Sequence, residues 1–206
     1  MDQGLVNGIK SAGILREEWQ EYRLVIPADE PVSRQVKQLR MQWEQLYGEA
    51  SVSDKPPSIT LACFVAREEM EDMVMRWIQR ICSLQPSFMV TLNNFSAVPP
   101  QTIYIRVQDA SPFQQLASQL RLLDDFSRPA DGRKWKIFDK PFIKLGSLPE
   151  QAEKQQWFTY THQVFHAAFM ARKILLMKRE KSNWKMLSVF PFQITDCGLR
   201  ITDSLK

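Results

Sequence analysis

Two five-residue segments of this chain share a pattern that aims selected side chains in one direction. Pro57-Ser58-Ile59-Thr60-Leu61 and Pro141-Phe142-Ile143-Lys144-Leu145 agree at proline, isoleucine and leucine, with an offset of 84 residues. Side chains of an extended segment alternate between two faces. Ile59, Leu61 and Cys63 are therefore expected on one face and Ser58, Thr60 and Ala62 on the other, with Phe142 and Lys144 at the variable positions of the second copy. His162 and His166, the two histidines of the sequence, stand four apart. On a helix that spacing puts two imidazoles on one face, as a metal site requires. No Glu accompanies them as in H-E-x-x-H and no third ligand is evident, so no metal is assigned. A third group, Arg133-Lys134-Trp135-Lys136-Ile137-Phe138, interleaves cations with aromatics, a combination that pairs with phosphates and stacks on bases. A strand edge with outward lysines and inward Trp135 or Phe138 produces the same pattern.

These residues must be held by regular elements. Leu24-Val25-Ile26 reads as a short buried strand closed by Pro27. From Pro31 to Tyr47 the apolar positions Val32, Val36, Leu39, Trp43 and Leu46 step by four and three, which predicts a helix ending at Gly48. A loop over 49–57 leads to a strand over Ser58 to Val65. A second helix, about Glu68 to Leu84, carries Met70, Met73, Val74, Trp77, Ile78 and Ile81 as a packing stripe. Strands are expected at Phe88 to Phe95 and Thr102 to Val107, and a helix at Pro112 to Phe126 with Phe113, Leu116, Leu120 and Leu123 in register. After a polar loop from Ser127 to Lys140, a strand covers Pro141 to Leu145 and a short helix Pro149 to Trp157. Ala168 to Lys178 and Trp184 to Phe192 form a terminal hairpin turning at Glu180 to Asn183. The order β-α-β-α-β-β-α-β-α-β-β implies an α+β protein with helices packed on mainly antiparallel sheets.

Composition narrows the class. The chain of 206 residues is 44% hydrophobic and 24% charged, with only 7 glycines and 12 prolines, which excludes collagenous and disordered readings. Apolar runs such as Ile59 to Ala66 fall far short of the roughly 20 residues that span a bilayer. With no basic region followed by an apolar stretch near Met1, a cytoplasmic protein without a membrane partner is expected. Cys63, Cys82 and Cys197 are widely spaced and odd in number, consistent with a reducing compartment and no structural zinc. The net charge of +4 is uneven. Residues 1–103 carry 10 basic and 13 acidic side chains, a net −3, whereas residues 104–206 carry 17 and 10, a net +7. A basic second half suits a phosphate-bearing partner, although a solvated basic surface has the same composition.

At its two Pro-x-Ile-x-Leu segments the sequence resembles the 2H phosphoesterase superfamily, most closely its 2'-5' RNA ligase-like branch, over about residues 20–193. The resemblance implies a bilobal α+β fold, two antiparallel sheets flanked by helices around a central cleft. It divides the chain into an N-terminal arm over 1–19, one bilobal domain over 20–193 and a C-terminal tail over 194–206. In that family each lobe contributes a strand carrying His-x-Thr/Ser, one imidazole taking a proton from the attacking oxygen while the other gives one to the leaving oxygen. Ser58 and Phe142 stand where those histidines would be, so no catalytic residue is assigned. Thr60 keeps one hydroxyl position and Lys144 replaces the other. A threonine hydroxyl and a lysine ammonium can hold a phosphate without transforming it. Ser58, Thr60 and Lys144 are thus the phosphate-binding candidates and Phe142 the cleft-lining candidate. Arg133, Lys134, Trp135 and Lys136 are the nucleic-acid-binding candidates. The resemblance sets His162 and His166 just before the terminal hairpin, away from the motif strands. The expected function is a catalytically degenerate relative that binds a nucleotide or RNA phosphate, without a cofactor. The alternatives are an active RNA ligase or cyclic phosphodiesterase using substituted residues, a Ser58 nucleophile with Lys144 as base included, and a protein-interaction module whose cleft has no ligand.

Overall fold

The computed structural model describes residues 19–47, 56–98, 102–127, 135–147 and 164–194. Its elements are β1 (Trp19–Pro27), α1 (Glu30–Tyr47), β2 (Ser58–Arg67), a single 3₁₀ turn (Glu68–Met70), α2 (Glu71–Leu84), β3 (Phe88–Val98), β4 (Thr102–Val107), α3 (Ser111–Ser127), β5 (Lys136–Ile137), β6 (Phe142–Ser147), β7 (His166–Ala171), β8 (Lys173–Glu180) and β9 (Asn183–Pro191). The expected helix over 149–157 and most of the loop over 49–57 lie outside the described residues. No helix among the described residues is long and apolar enough to cross a membrane.

The strands form two sheets, ordered β5-β2-β1-β8-β9 and β6-β4-β3-β7, and every pair of neighbouring strands is antiparallel. Helices cover one face of each sheet and exchange partners to do so. α1 leaves the first sheet and packs on β6 and β7 of the second, while α3 leaves the second and packs on β2 and β5 of the first beside α2. The apolar stripes of α1 and α3 therefore find a sheet they do not directly follow, while α2 stays on the first sheet against β9. On α1 the predicted positions Val32, Val36 and Trp43 are buried, and the helix begins where Asp29 Oδ1 accepts the Val32 amide at 3.1 Å. That carboxylate satisfies one of the amides a helix start leaves open.

Three expectations need correction. Cys63 does not share a face with Ile59 and Leu61. On β1, Leu24 pairs with Ala62 and Val25 with Thr60, so Leu61 is an extra residue, a bulge that turns Cys63 to the side of Thr60. The carbonyl of Leu61 takes its hydrogen bond from the Phe138 amide, 2.8 Å away. Ala168 to Lys178 is not one strand. Its burial changes phase at Arg172, from Phe169 and Ala171 to Ile174 and Leu176, and there the chain passes from the second sheet to the first. The Arg172 carbonyl at this crossing accepts the Phe192 amide at 2.7 Å. Finally, Trp77 on α2 is 36% exposed, so the stripe assigned to packing reaches the surface there, while Val74, Ile78 and Ile81 are buried.

Under the first sheet, Lys178 Nζ lies 2.6 Å from Glu71 and 2.7 Å from Glu68, and the Tyr22 hydroxyl donates to Glu71 at 2.5 Å. Burial, then the Glu71 contact, holds the Tyr22 phenol far above its ordinary pKa. For Lys178, burial alone would lower the pKa, but hydrogen bonds to Glu68 and Glu71 outweigh it and raise the value.

Candidate functional site

Helices occupy one face of each sheet, and the site is built on the other. In β2, Ile59 and Leu61 point into the core at 0% and 1% exposure, leaving Ser58 and Thr60 half-buried on the open side. β6 repeats the arrangement, with Ile143 and Leu145 in the core and Phe142 and Lys144 half-buried. The two strands belong to different sheets yet approach within 8 Å, Cα to Cα. The register adds further residues to this surface. Tyr104 on β4 stands opposite Lys144, and Arg106 opposite Phe142. The Phe142 and Tyr104 rings are 5.0 Å apart between centroids, at 47°. Arg106 pairs in turn with Asn93 on β3, and Asn93 with His166 on β7. Phe142, Arg106, Asn93 and His166 thus form one row across the second sheet.

Lys144 and Arg106 give this surface a positive character. Neither pairs with a carboxylate among the described residues, and Arg106 Nε donates only to the Asn93 carbonyl, at 3.3 Å. Beneath them the buried Arg40 of α1 donates to the Lys144 carbonyl from Nε at 3.3 Å and Nη2 at 2.8 Å. Desolvation lowers the Arg40 pKa to about 10, which leaves it charged at neutral pH. Thr60 and Lys144 thus lie on two strands that approach each other, with Arg106 opposite Phe142 on the neighbouring strand.

The other sequence candidates fall as follows. Arg133, Lys134 and His162 lie outside the described residues. Trp135 is buried at 6% exposure, its ring stacked on Phe64 at 3.7 Å and its amide bonded to Asp124 at 2.8 Å. Its ring has no open face for a base, as the strand-edge reading expects. Lys136 is exposed on β5, opposite Cys63. His166 is the first residue of a strand, not a helix position, and it lies on the same sheet as β6. Three strand spacings of about 4.8 Å separate them, roughly 14 Å. It therefore stands away from the motif strands, as expected, at the far end of the row that Phe142 begins. Among the described residues no three His, Cys, Asp or Glu side chains gather as a metal site would need. No hydrogen bond joins Ser58 to Lys144 among the described residues, so a nucleophile and base contact is not formed. Tyr104 and Arg106 were missed by sequence reasoning, although the alternation of Thr102-Ile103-Tyr104-Ile105-Arg106 around the buried Ile103 and Ile105 carries the signal.

By sequence, residues 28–183 match the family described as the 2'-5' RNA ligase superfamily. The chain belongs to that superfamily. Several solved structures superpose on it over most of its length. TT0787 of Thermus thermophilus aligns with a TM-score of 0.66 at 16% identity, covering 84% of this chain and 98% of that one. Escherichia coli LigT complexed with NADP+ aligns at 0.60 with 17% identity over 85% and 99%. The same protein complexed with 3'-AMP aligns at 0.59 with 15% identity over 85% and 98%. At such identities the likeness establishes the fold. No curated protein matches the chain by sequence. The superfamily fold is thus carried here by two antiparallel sheets whose strands β2 and β6 approach each other.

Proposed function

We propose that this member of the 2'-5' RNA ligase superfamily is catalytically degenerate and binds the phosphate of a nucleotide or RNA end between β2 and β6. The observation that carries the reading is the residue at the start of each strand: Ser58 on β2 and Phe142 on β6. Neither titrates near neutrality, so neither can take or give the proton that phosphodiester transfer requires. His166, at the far end of the Phe142 row, is too distant to stand in directly. The groups that hold an anion are present: the Thr60 hydroxyl, the Lys144 ammonium and the Arg106 guanidinium, all toward open faces. A nucleotide ligand is supported by the solved complexes of E. coli LigT with 3'-AMP, ATP and NADP+.

The test is an assay of the purified protein with a 2',3'-cyclic nucleotide, beside a calorimetric titration with 3'-AMP. We expect binding without turnover. Turnover at a rate ordinary for an enzyme, abolished by Thr60→Ala or Lys144→Ala, would establish an active phosphodiesterase using substituted residues. Absence of both binding and turnover would favour a protein-interaction module.

A further inference from the structure

The open face of the first sheet continues beyond Thr60. Because Leu61 is bulged, Cys63 and Val65 lie on the same face as Thr60, and their partners on β1 are Arg23 and Glu21. Glu21, Arg23, Cys63, Val65 and Trp184 line a recess of about 280 Å³. Lys136 stands next to Cys63 on β5, so Lys136, Cys63 and Arg23 form one row.

Two features of Arg23 suit a ligand. Its guanidinium carbon lies over the Trp184 ring, 4.2 Å from the centroid, a cation–π contact that restrains the side chain. Its Nε is buried and has no hydrogen-bond partner. A buried, unmatched donor on a cation is costly unless an acceptor arrives. Glu21, the acid in the recess, is engaged by Arg179 at 2.7 Å. That pair leaves Arg23 without a carboxylate among the described residues.

We infer that the Arg23–Trp184 recess is a second anion subsite, which binds a backbone phosphate of an oligonucleotide whose terminal phosphate occupies the Thr60–Lys144 site. Thr60 and Cys63 are three residues apart on one strand, about 10 Å at most by strand rise. A short single strand laid along β2 can therefore reach both. The phosphate meets the terminal nitrogens of the guanidinium, and Lys136 adds charge at the rim. The choice of an oligonucleotide rests on the proposed function; the recess and its unmatched donor do not.

The experiment compares 3'-AMP with a four-nucleotide RNA bearing a 3'-phosphate by calorimetric titration of wild type, Arg23→Gln, Arg23→Lys and Trp184→Leu, each checked for a native melting transition. Wild type should bind the RNA about tenfold more tightly than 3'-AMP. Arg23→Gln should remove that gain and leave 3'-AMP binding unchanged, with Arg23→Lys and Trp184→Leu intermediate. Equal affinities for the two ligands in wild type, or an unchanged gain in Arg23→Gln, would overturn the second subsite while leaving the Thr60–Lys144 reading intact. RNA binding that needs Arg23 without any 3'-AMP binding would support the recess and overturn the first site. Failure of both ligands to bind would overturn both.

Discussion

Arg40 of α1 donates from Nη2 to the carbonyl oxygen of Lys144, 2.8 Å away, joining a buried helix residue to the strand that bears the candidate phosphate ligand. β6 is the edge strand of its sheet, so this carbonyl finds its donor on a helix. Replacing Arg40 with Met preserves much of the apolar volume but leaves the acceptor without this donor. The expected cost is about 1–3 kcal/mol, read as a lower urea midpoint with an unchanged m value. Phosphate affinity should fall with it, since the Lys144 backbone loses its brace.

Gly146, two residues further along β6, lies under the Trp43 indole. A Cβ there would stand 2.6 Å from Trp43 Cδ1, closer than packed atoms allow. Gly146→Ala should destabilise the protein by about 1–3 kcal/mol through overpacking. Pairing it with Trp43→Phe should recover part of that loss in the same denaturation assay, and no recovery would argue against the contact as the cause.

Alkaline pH should weaken the fold from the underside of the first sheet. Tyr22 and Lys178 both hold their protons more tightly when folded than their ordinary values of 10.0 and 10.5. Above about pH 10 the unfolded chain releases protons that the native state keeps, so stability falls as pH rises. Below that pH the contribution is fully present. Tyr22 alone adds a slope of up to about 1.4 kcal/mol per pH unit. Denaturant unfolding between pH 9 and 11 should show a shallower decline for Tyr22→Phe than for wild type.

Lys144 should dominate anion affinity. Its charge-assisted contact is worth about 1.5–3 kcal/mol, against 0.5–1.5 for a neutral serine hydroxyl. Lys144→Ala should thus weaken 3'-AMP by roughly ten- to a hundredfold, and Ser58→Ala by about two- to tenfold. Added salt should weaken wild type more than Lys144→Ala. Three equal affinities would place the ligand elsewhere.

Restoring imidazoles tests the degenerate reading from the opposite side. The double substitution Ser58→His with Phe142→His should bring detectable hydrolysis of a 2',3'-cyclic nucleotide where wild type shows none, each general acid or base contributing about 10² to 10⁴. A double variant that folds, binds 3'-AMP and remains inert would show that more than the two imidazoles is missing.

The local elements were legible because their signals are local. Val32, Val36 and Trp43 repeat at the helical period and are buried, and the alternation of Ser58-Ile59-Thr60-Leu61 and Phe142-Ile143-Lys144-Leu145 put both isoleucines and both leucines in the core. The repeated pattern also led to the family and to two antiparallel sheets. Other features depend on what a residue faces across space. The bulge at Leu61, which turns Cys63 toward Arg23, exists only in the pairing of β2 with β1. The break at Arg172 separates two strands because one apolar phase matches the second sheet and the next matches the first. The sequence leaves Trp135 open to base stacking or to an inward strand-edge place, and only the Phe64 ring against it decides for packing, whereas Arg23 and Trp184, 161 residues apart in sequence, carry no sequence signal before the sheet register brings them together. Period and polarity are written along the chain. Register and the choice of packing partner arise from long-range contacts, and in this protein those contacts decide which charges share a surface.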